Sequence, residues 1–159
     1  MKDSQARIAI VGAGMGGLTA AATLLQAGFD VTIYEQADKF ARLGAGIQMS
    51  PNAMKVLRRT GVAEGLRGFA FQPPGQRSRE WDTGEENLWV EMGEALERKF
   101  GEPYLLLHRA DLHEHLVAAV PNTIIRLGKK VLGVEPKGEG VTLRFEDGTG
   151  AEADLVVAA

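Results

Sequence analysis

The 159-residue chain carries a formal net charge of −3 and 45% apolar residues, the balance of a single globular domain. That charge gives no electrostatic reason to expect nucleic acid or an anionic membrane as a partner, and the absence of cysteine excludes both a disulfide scaffold and a thiolate metal site. The opening "MKDSQARIAIVG" has no apolar signal-peptide core, and no apolar run is long enough to span a bilayer, so a cytoplasmic protein is expected.

Taken in chain order, Ile8 to Val11 is a short apolar run suited to a strand buried on both faces. Leu18, Ala21, Ala22, Leu24 and Leu25 then recur at helical spacing up to Gly28, a C-terminal cap, and Val31 to Tyr34 forms the next strand. Strand, helix and strand in so short a stretch make a βαβ unit. In "GAGIQMSPNAMKVLRRTGV" a flexible glycine turn precedes Ser50 as N-cap and Pro51 as first helical residue; Ala53, Val56 and Leu57 supply the apolar face and Gly61 ends the helix. From 64 to 90 the chain reads as irregular, with "FQPPGQ" a loop and "RSREWDTGEENLWVEM" a hairpin about Asp82, Thr83 and Gly84. A short charged helix near 93 to 100, the strand "PYLLLH" and the helix "RADLHEHLVAAV" follow, the last with Asp111 and Glu114 in capping-box spacing. Residues 123 to 157 read as consecutive strands, "TIIRL", "VLGVE", "VTLRF" and "ADLVVAA", with "EDGT" as a hairpin turn.

Gly12, Gly14 and Gly17 form G-x-G-x-x-G, and each glycine has a physical task. The first permits a tight turn out of the strand, the second lets a pyrophosphate approach the backbone, and the third lets the helix pack closely on the sheet. The helix N-terminus adds unpaired N–H groups and a positive dipole end for phosphate. Glu35 ends the second strand 18 residues after Gly17, where a carboxylate accepts both ribose hydroxyls of an adenosine and repels a 2'-phosphate. These residues indicate a nucleotide site but do not choose between FAD and NAD, which share an ADP half.

The stretch "VGAGMGGLTAAATLLQAGFDVTIYEQ" resembles the FAD-binding opening of the single-component (group A) flavoprotein aromatic hydroxylases. "RLGAGIQMSPNAMKVLRRTGV" resembles their next segment, and "LLLHRADLHEHL" their third motif, in which an arginine precedes a helix and reaches the flavin. The resemblance implies an α/β, Rossmann-like FAD-binding domain with a parallel sheet, helices and a β-meander. It also implies a monooxygenase in which NADH or NADPH reduces bound FAD and O2 supplies the oxygen placed on a small aromatic or N-heteroaromatic ring, such as a hydroxynicotinate or salicylate.

Residue by residue, the resemblance puts Gly14 at the pyrophosphate, Glu35 and Gln36 at the adenosine, Gln48 in the flavin-facing loop, Arg109 beside the flavin and Val131 in the strand beside the adenine. Gln48 stands where the hydroxynicotinate enzymes are expected to carry histidine; its amide donates and accepts but is no base near neutral pH, so at most it orients substrate or flavin. In the family "ADLVVAA" runs on into a D-G turn, a substrate-binding sheet and a second flavin motif. Residues 1–159 are therefore expected to be the N-terminal part of a longer enzyme, inactive alone and holding FAD weakly or not at all.

Bland readings stand beside these. Arg109 works against the dipole at its helix start, which favours a ligand role over a surface one, and Arg42 before the glycine turn is either a cofactor contact or a solvated charge. His113 and His115 are two apart on a helix and face different ways, so surface or capping roles are expected and no metal site. Trp81 and Trp89 are expected to pack within the hairpin, and "GEENLWVEMGEALE" to be a solvated acidic face. Other users of the same opening, a flavin-dependent halogenase or an NAD-dependent dehydrogenase, and a non-catalytic nucleotide-binding module remain as alternatives.

Overall fold

The computed structural model describes residues 6–42 and 44–159. In chain order the elements are β1 (Arg7–Val11), α1 (Met15–Gln26), β2 (Asp30–Tyr34), β3 (Gly46–Met49), α2 (Pro51–Arg59), α3 (Ala63–Arg67), β4 (Gly75–Arg79), β5 (Glu86–Glu91) and α4 (Gly93–Phe100). After them come β6 (Leu105–His108), α5 (Arg109–Ala118), β7 (Ile125–Arg126), β8 (Val131–Lys137), β9 (Gly140–Phe145), β10 (Gly150–Ala153) and β11 (Leu155–Ala158). The chain divides into two compact units, one of residues up to Arg42 together with 113–159, the other of residues up to Leu112.

The first unit is built round β1, which pairs in parallel with β2 on one side and β11 on the other, in a sheet of order β11-β1-β2-β7. Alternation along β1 gives its two faces different neighbours. Ile10 faces α1, whose buried residues Gly17, Leu18, Ala21 and Ala22 are mostly small and bring the helix axis close to the sheet. Ala9 faces the antiparallel meander β8-β9-β10, where it joins Leu143, Phe145 and Ala153 in a buried cluster. A parallel sheet with both faces covered is the expected α/β class, and its strands carry the near-continuous apolar runs that such burial demands.

Glycine ends α1 as the sequence indicates. Ala27 is the C-cap, Gly28 takes φ +88°, and the N–H groups of Gly28 and Phe29 donate to the carbonyls of Leu25 and Leu24 at 2.9 and 3.0 Å. This is a Schellman motif, which only a residue free to adopt the left-handed region closes without strain. At the other side of the meander, the Arg7 guanidinium holds the Asp154 carboxyl below its usual range by a hydrogen bond at 3.0 Å, tying the turn before β11 to β1.

In the second unit β3 pairs antiparallel with β6, and β4 with β5. Four readings change here, the last of them at Trp81. The buried face of α2 is Met54 and Leu57, with Val56 45% exposed, because Met54 rather than Val56 completes the inner side beside Leu57. The stretch after Gly61 is not irregular throughout: α3 buries Ala63 and Leu66. Helix α5 begins at Arg109, two residues before Asp111, and His108 Nδ1 accepts the Ala110 N–H at 3.2 Å in place of a capping box. Trp89 packs as expected, over Gly75 and beneath the Arg77 guanidinium, whereas Trp81 at the hairpin turn is 91% exposed. β10 is an added strand within the expected β region, formed after the "EDGT" turn. Among the described residues no helix is long and apolar enough to cross a membrane.

Glu102 is only 2% exposed and forms an ion pair with Arg58, whose side chain is 60% exposed. A buried carboxylate is tolerated while its counter-charge is present, and removal of the partner exposes the full desolvation penalty. Arg58→Met is expected to destabilise the chain by about 3 kcal/mol in urea unfolding, and adding Glu102→Leu is expected to restore most of the loss.

Candidate functional site

At the C-terminal end of β1 the chain turns through Gly12, Ala13 and Gly14 into α1, and this turn borders a cleft of about 290 Å³. Gly12, Gly14, Tyr34, Glu35, Gln36 and Val131 contribute to its walls, together with Lys129 and Lys130. The carboxyl end of parallel strands is where α/β sheets place their ligands.

The three motif glycines stand in different surroundings. Gly12 has φ +105°, and a Cβ there would overlap the carbonyl oxygen of Ala159. A Cβ on Gly17 would overlap the Gly12 carbonyl oxygen and crowd Ile10 Cγ2 at 3.3 Å. Gly14 differs: its φ is −72°, and a Cβ there would meet nothing within 4 Å. The fold itself therefore demands glycine at 12 and 17 but not at 14, which faces the open cleft.

Glu35 does more than present a carboxylate. Its Oε2 accepts the Ala13 N–H at 2.8 Å and its Oε1 accepts the Ala37 N–H at 2.9 Å, so it braces the glycine turn across the two strand ends. Each oxygen keeps acceptor capacity after these bonds. The other peptide face of Ala13 is held as well, since His113 Nε2 lies 2.8 Å from its carbonyl oxygen. Tyr34 stacks obliquely on Phe145 at 4.8 Å, and burial pushes its phenol above the usual value, so the hydroxyl stays protonated at the cleft. Lys129 donates to Asp147 at 2.5 Å and to Thr149 at 2.9 Å; these contacts hold the Asp147 carboxyl far below its usual range.

Of the residues singled out in the sequence, Gly12, Gly14, Glu35, Gln36 and Val131 thus meet round one cleft, and Gly17 lies beneath the turn. Arg42 forms an exposed ion pair with Glu114. Arg109 and Gln48 belong to the second unit. Arg109 donates its N–H to Ala45 O at 3.0 Å and lays its aliphatic stem along Gly44, which has φ +133°. Gln48 lines a separate cleft of about 330 Å³ with Tyr104, Met92 and Arg77, and its Oε1 accepts the Tyr104 hydroxyl at 2.6 Å. Among the described residues no three histidines and carboxylates gather as a metal centre. Sequence reading missed Tyr34, Lys129, Lys130, Tyr104 and the place of His113. Tyr34 and the two lysines border motif residues and were open to discovery by adjacency; Tyr104 and His113 carry no local signal.

A family model described as "FAD binding domain" matches residues 5–159. The 6-hydroxynicotinate 3-monooxygenase of Pseudomonas fluorescens is 46% identical over 151 residues, covering 95% of this chain and 39% of the relative. The 3-amino-4-hydroxybenzoate 2-monooxygenase PtmB3 of Streptomyces platensis is 43% identical over 159 residues, covering 100% of this chain and 40% of the relative. Among solved structures, Klebsiella pneumoniae HpxO complexed with FAD and uric acid superimposes with a TM-score of 0.88 at 28% identity, covering 100% of this chain and 40% of the other. The chain spans about two fifths of the length of the curated relatives it matches.

The glycine geometry gives a clear expectation for stability. Gly17→Ala is expected to cost about 2 to 3 kcal/mol through overpacking, and Gly12→Ala to be similarly damaging. Gly14→Ala is expected to cost less than about 1 kcal/mol, since only a mild N-cap preference is lost. Thermal unfolding of the three variants checks the ranking.

Proposed function

Because the chain belongs to the FAD binding domain family, we propose that it is the dinucleotide-binding part of a monooxygenase that hydroxylates a small aromatic or N-heteroaromatic ring with O2 and NADH or NADPH. The observation that carries the reading is Gly14. Among the described residues nothing forbids a side chain there, so its bareness is accounted for by an occupant of the cleft that must approach the backbone, as a diphosphate does. The residues present fit FAD: a turn with free N–H groups for phosphate, Glu35 with acceptor capacity for ribose hydroxyls, and Val131 as an apolar wall for adenine.

FAD, when bound, would supply the redox chemistry, accepting reducing equivalents from the nicotinamide and delivering one oxygen atom of O2 to the ring. The chain's own part is binding and orientation. Met15, Gly16 and Gly17 lie in the first turn of α1, whose leading N–H groups have no intrahelical partner and aim a positive dipole end at the diphosphate. Glu35 holds the turn and the ribose at once, and Gln36 stands beside it at the adenosine.

Gln48 and Arg109 are proposed for the flavin half on the strength of the sequence resemblance. With Tyr104 donating to its Oε1, Gln48 keeps its N–H groups for a carbonyl or carboxylate oxygen of flavin or substrate. The hydroxynicotinate and aminohydroxybenzoate names of the relatives support a ring bearing hydroxyl and carboxyl groups as the substrate class.

Titration of FAD into the chain, followed by flavin fluorescence, is expected to show weak, saturable binding through the ADP half. Gly14→Val is expected to abolish it while leaving the unfolding transition in place. Glu35→Gln is expected to weaken it by about 1.5 to 3 kcal/mol, because an amide cannot accept at both positions. Normal FAD binding by Gly14→Val would remove the reading.

A further inference from the structure

His113 lies on α5, 100 residues from the glycine turn in sequence, yet its Nε2 sits 2.8 Å from the Ala13 carbonyl oxygen. A carbonyl only accepts, so Nε2 must carry the proton and donate it. The ring is half-buried and is met edge-on by Phe40, centroids 5.0 Å apart, which fixes its plane. Ala13 is therefore gripped on both of its peptide groups: its N–H by Glu35 and its C=O by His113.

The consequence follows from peptide planarity. In a trans peptide the carbonyl of one residue and the N–H of the next point to opposite sides, and no cis bond occurs among the described residues. The Ala13 N–H goes to Glu35, so the Gly12 carbonyl turns the other way, and it is that oxygen which lies against Gly17. By the same rule, a carbonyl of Ala13 drawn to His113 turns the Gly14 N–H away from α5. That N–H makes no hydrogen bond among the described residues, and Gly14 borders the cleft.

We propose that His113 is a positioning residue for the dinucleotide: by donating to Ala13 it holds the Ala13–Gly14 peptide with the Gly14 N–H presented to a diphosphate oxygen. This rests on the FAD reading, and it adds a residue outside the glycine motif that sets the motif's orientation. A preset donor costs no reorganisation when the anion arrives, whereas a free peptide has to be ordered on binding. Without the His113 bond, the Ala13 carbonyl is free to rotate toward the cleft, where it would repel phosphate.

The test uses the 159-residue chain with ADP as probe. In the ligand-free chain, imidazole nitrogen shifts are expected to report the Nε2–H tautomer for His113. On adding ADP, the Gly14 amide resonance is expected to move in the wild type and in His113→Gln, whose amide can place a donor near the same point. His113→Leu is expected to bind ADP about fivefold more weakly, with a muted Gly14 response and an unchanged unfolding transition. An Nδ1–H tautomer, or ADP binding by His113→Leu equal to the wild type, would overturn the inference. If His113→Leu does not fold, His113→Gln decides: affinity within about twofold of wild type supports the role, and a loss as large as fivefold refutes it. Failure of the wild type to bind ADP would remove the parent reading, whereas ADP binding indifferent to residue 113 would remove this inference alone.

Discussion

Gly17, at the start of α1, rests on the carbonyl of Gly12, at the end of β1, with no room between them for a single methyl group. That backbone contact fixes how far the helix can stand from the sheet. It also fixes which way the Gly12 carbonyl points, and so sends the next N–H to Glu35 at the end of β2. Small residues farther along α1, Ala21 and Ala22, keep the helix close over its length, while Ile10 fills the remaining space on that face. The opposite face of β1 is then left for the meander, and the cleft opens beyond the strand ends, between the turn and the first residues of β8.

The motif therefore joins two demands that a pattern match cannot separate. Gly12 and Gly17 satisfy the protein's own packing and would be needed even if nothing were bound. Gly14 answers no such packing demand, since a Cβ there would meet nothing within 4 Å. Glu35 joins the two sides, since its carboxylate braces the turn and still faces the cleft. Exposed ion pairs such as Arg42 with Glu114 contribute little to stability, so the definition of this region comes from backbone contacts and from the two side chains that grip Ala13.

What could be read from the sequence was what local physics encodes. Apolar runs at strand length, helical recurrence from Leu18 to Leu25 and glycine at the helix ends identify β1, α1, β2 and α2, because each depends on neighbours within a few residues. The hairpin about Asp82 to Gly84 and the later meander follow from turn residues in the same way. Val56 misled because apolar spacing gives a face only to within about a residue, and the burial of Met54 settles the phase. The helix α3 was hidden by its brevity; five residues give no periodicity to detect. Glu35 was identified for a ligand, and its hydrogen bond to Ala13 was not, since nothing local to either residue signals it. The bond between Tyr104 and Gln48 and the reach of His113 to Ala13 are of the same kind: both join residues far apart in sequence through folded geometry.

If the cleft beside Gly14 is an ADP subsite, it should discriminate between the two halves of the cofactor. The direct measurement is competition against bound FAD by ADP and by FMN, each taken to millimolar concentration. The account predicts that ADP displaces FAD and protects the amides of Gly14 and Gln36, while FMN leaves those amides unchanged. Displacement by FMN through the same amides, with ADP without effect, would contradict it.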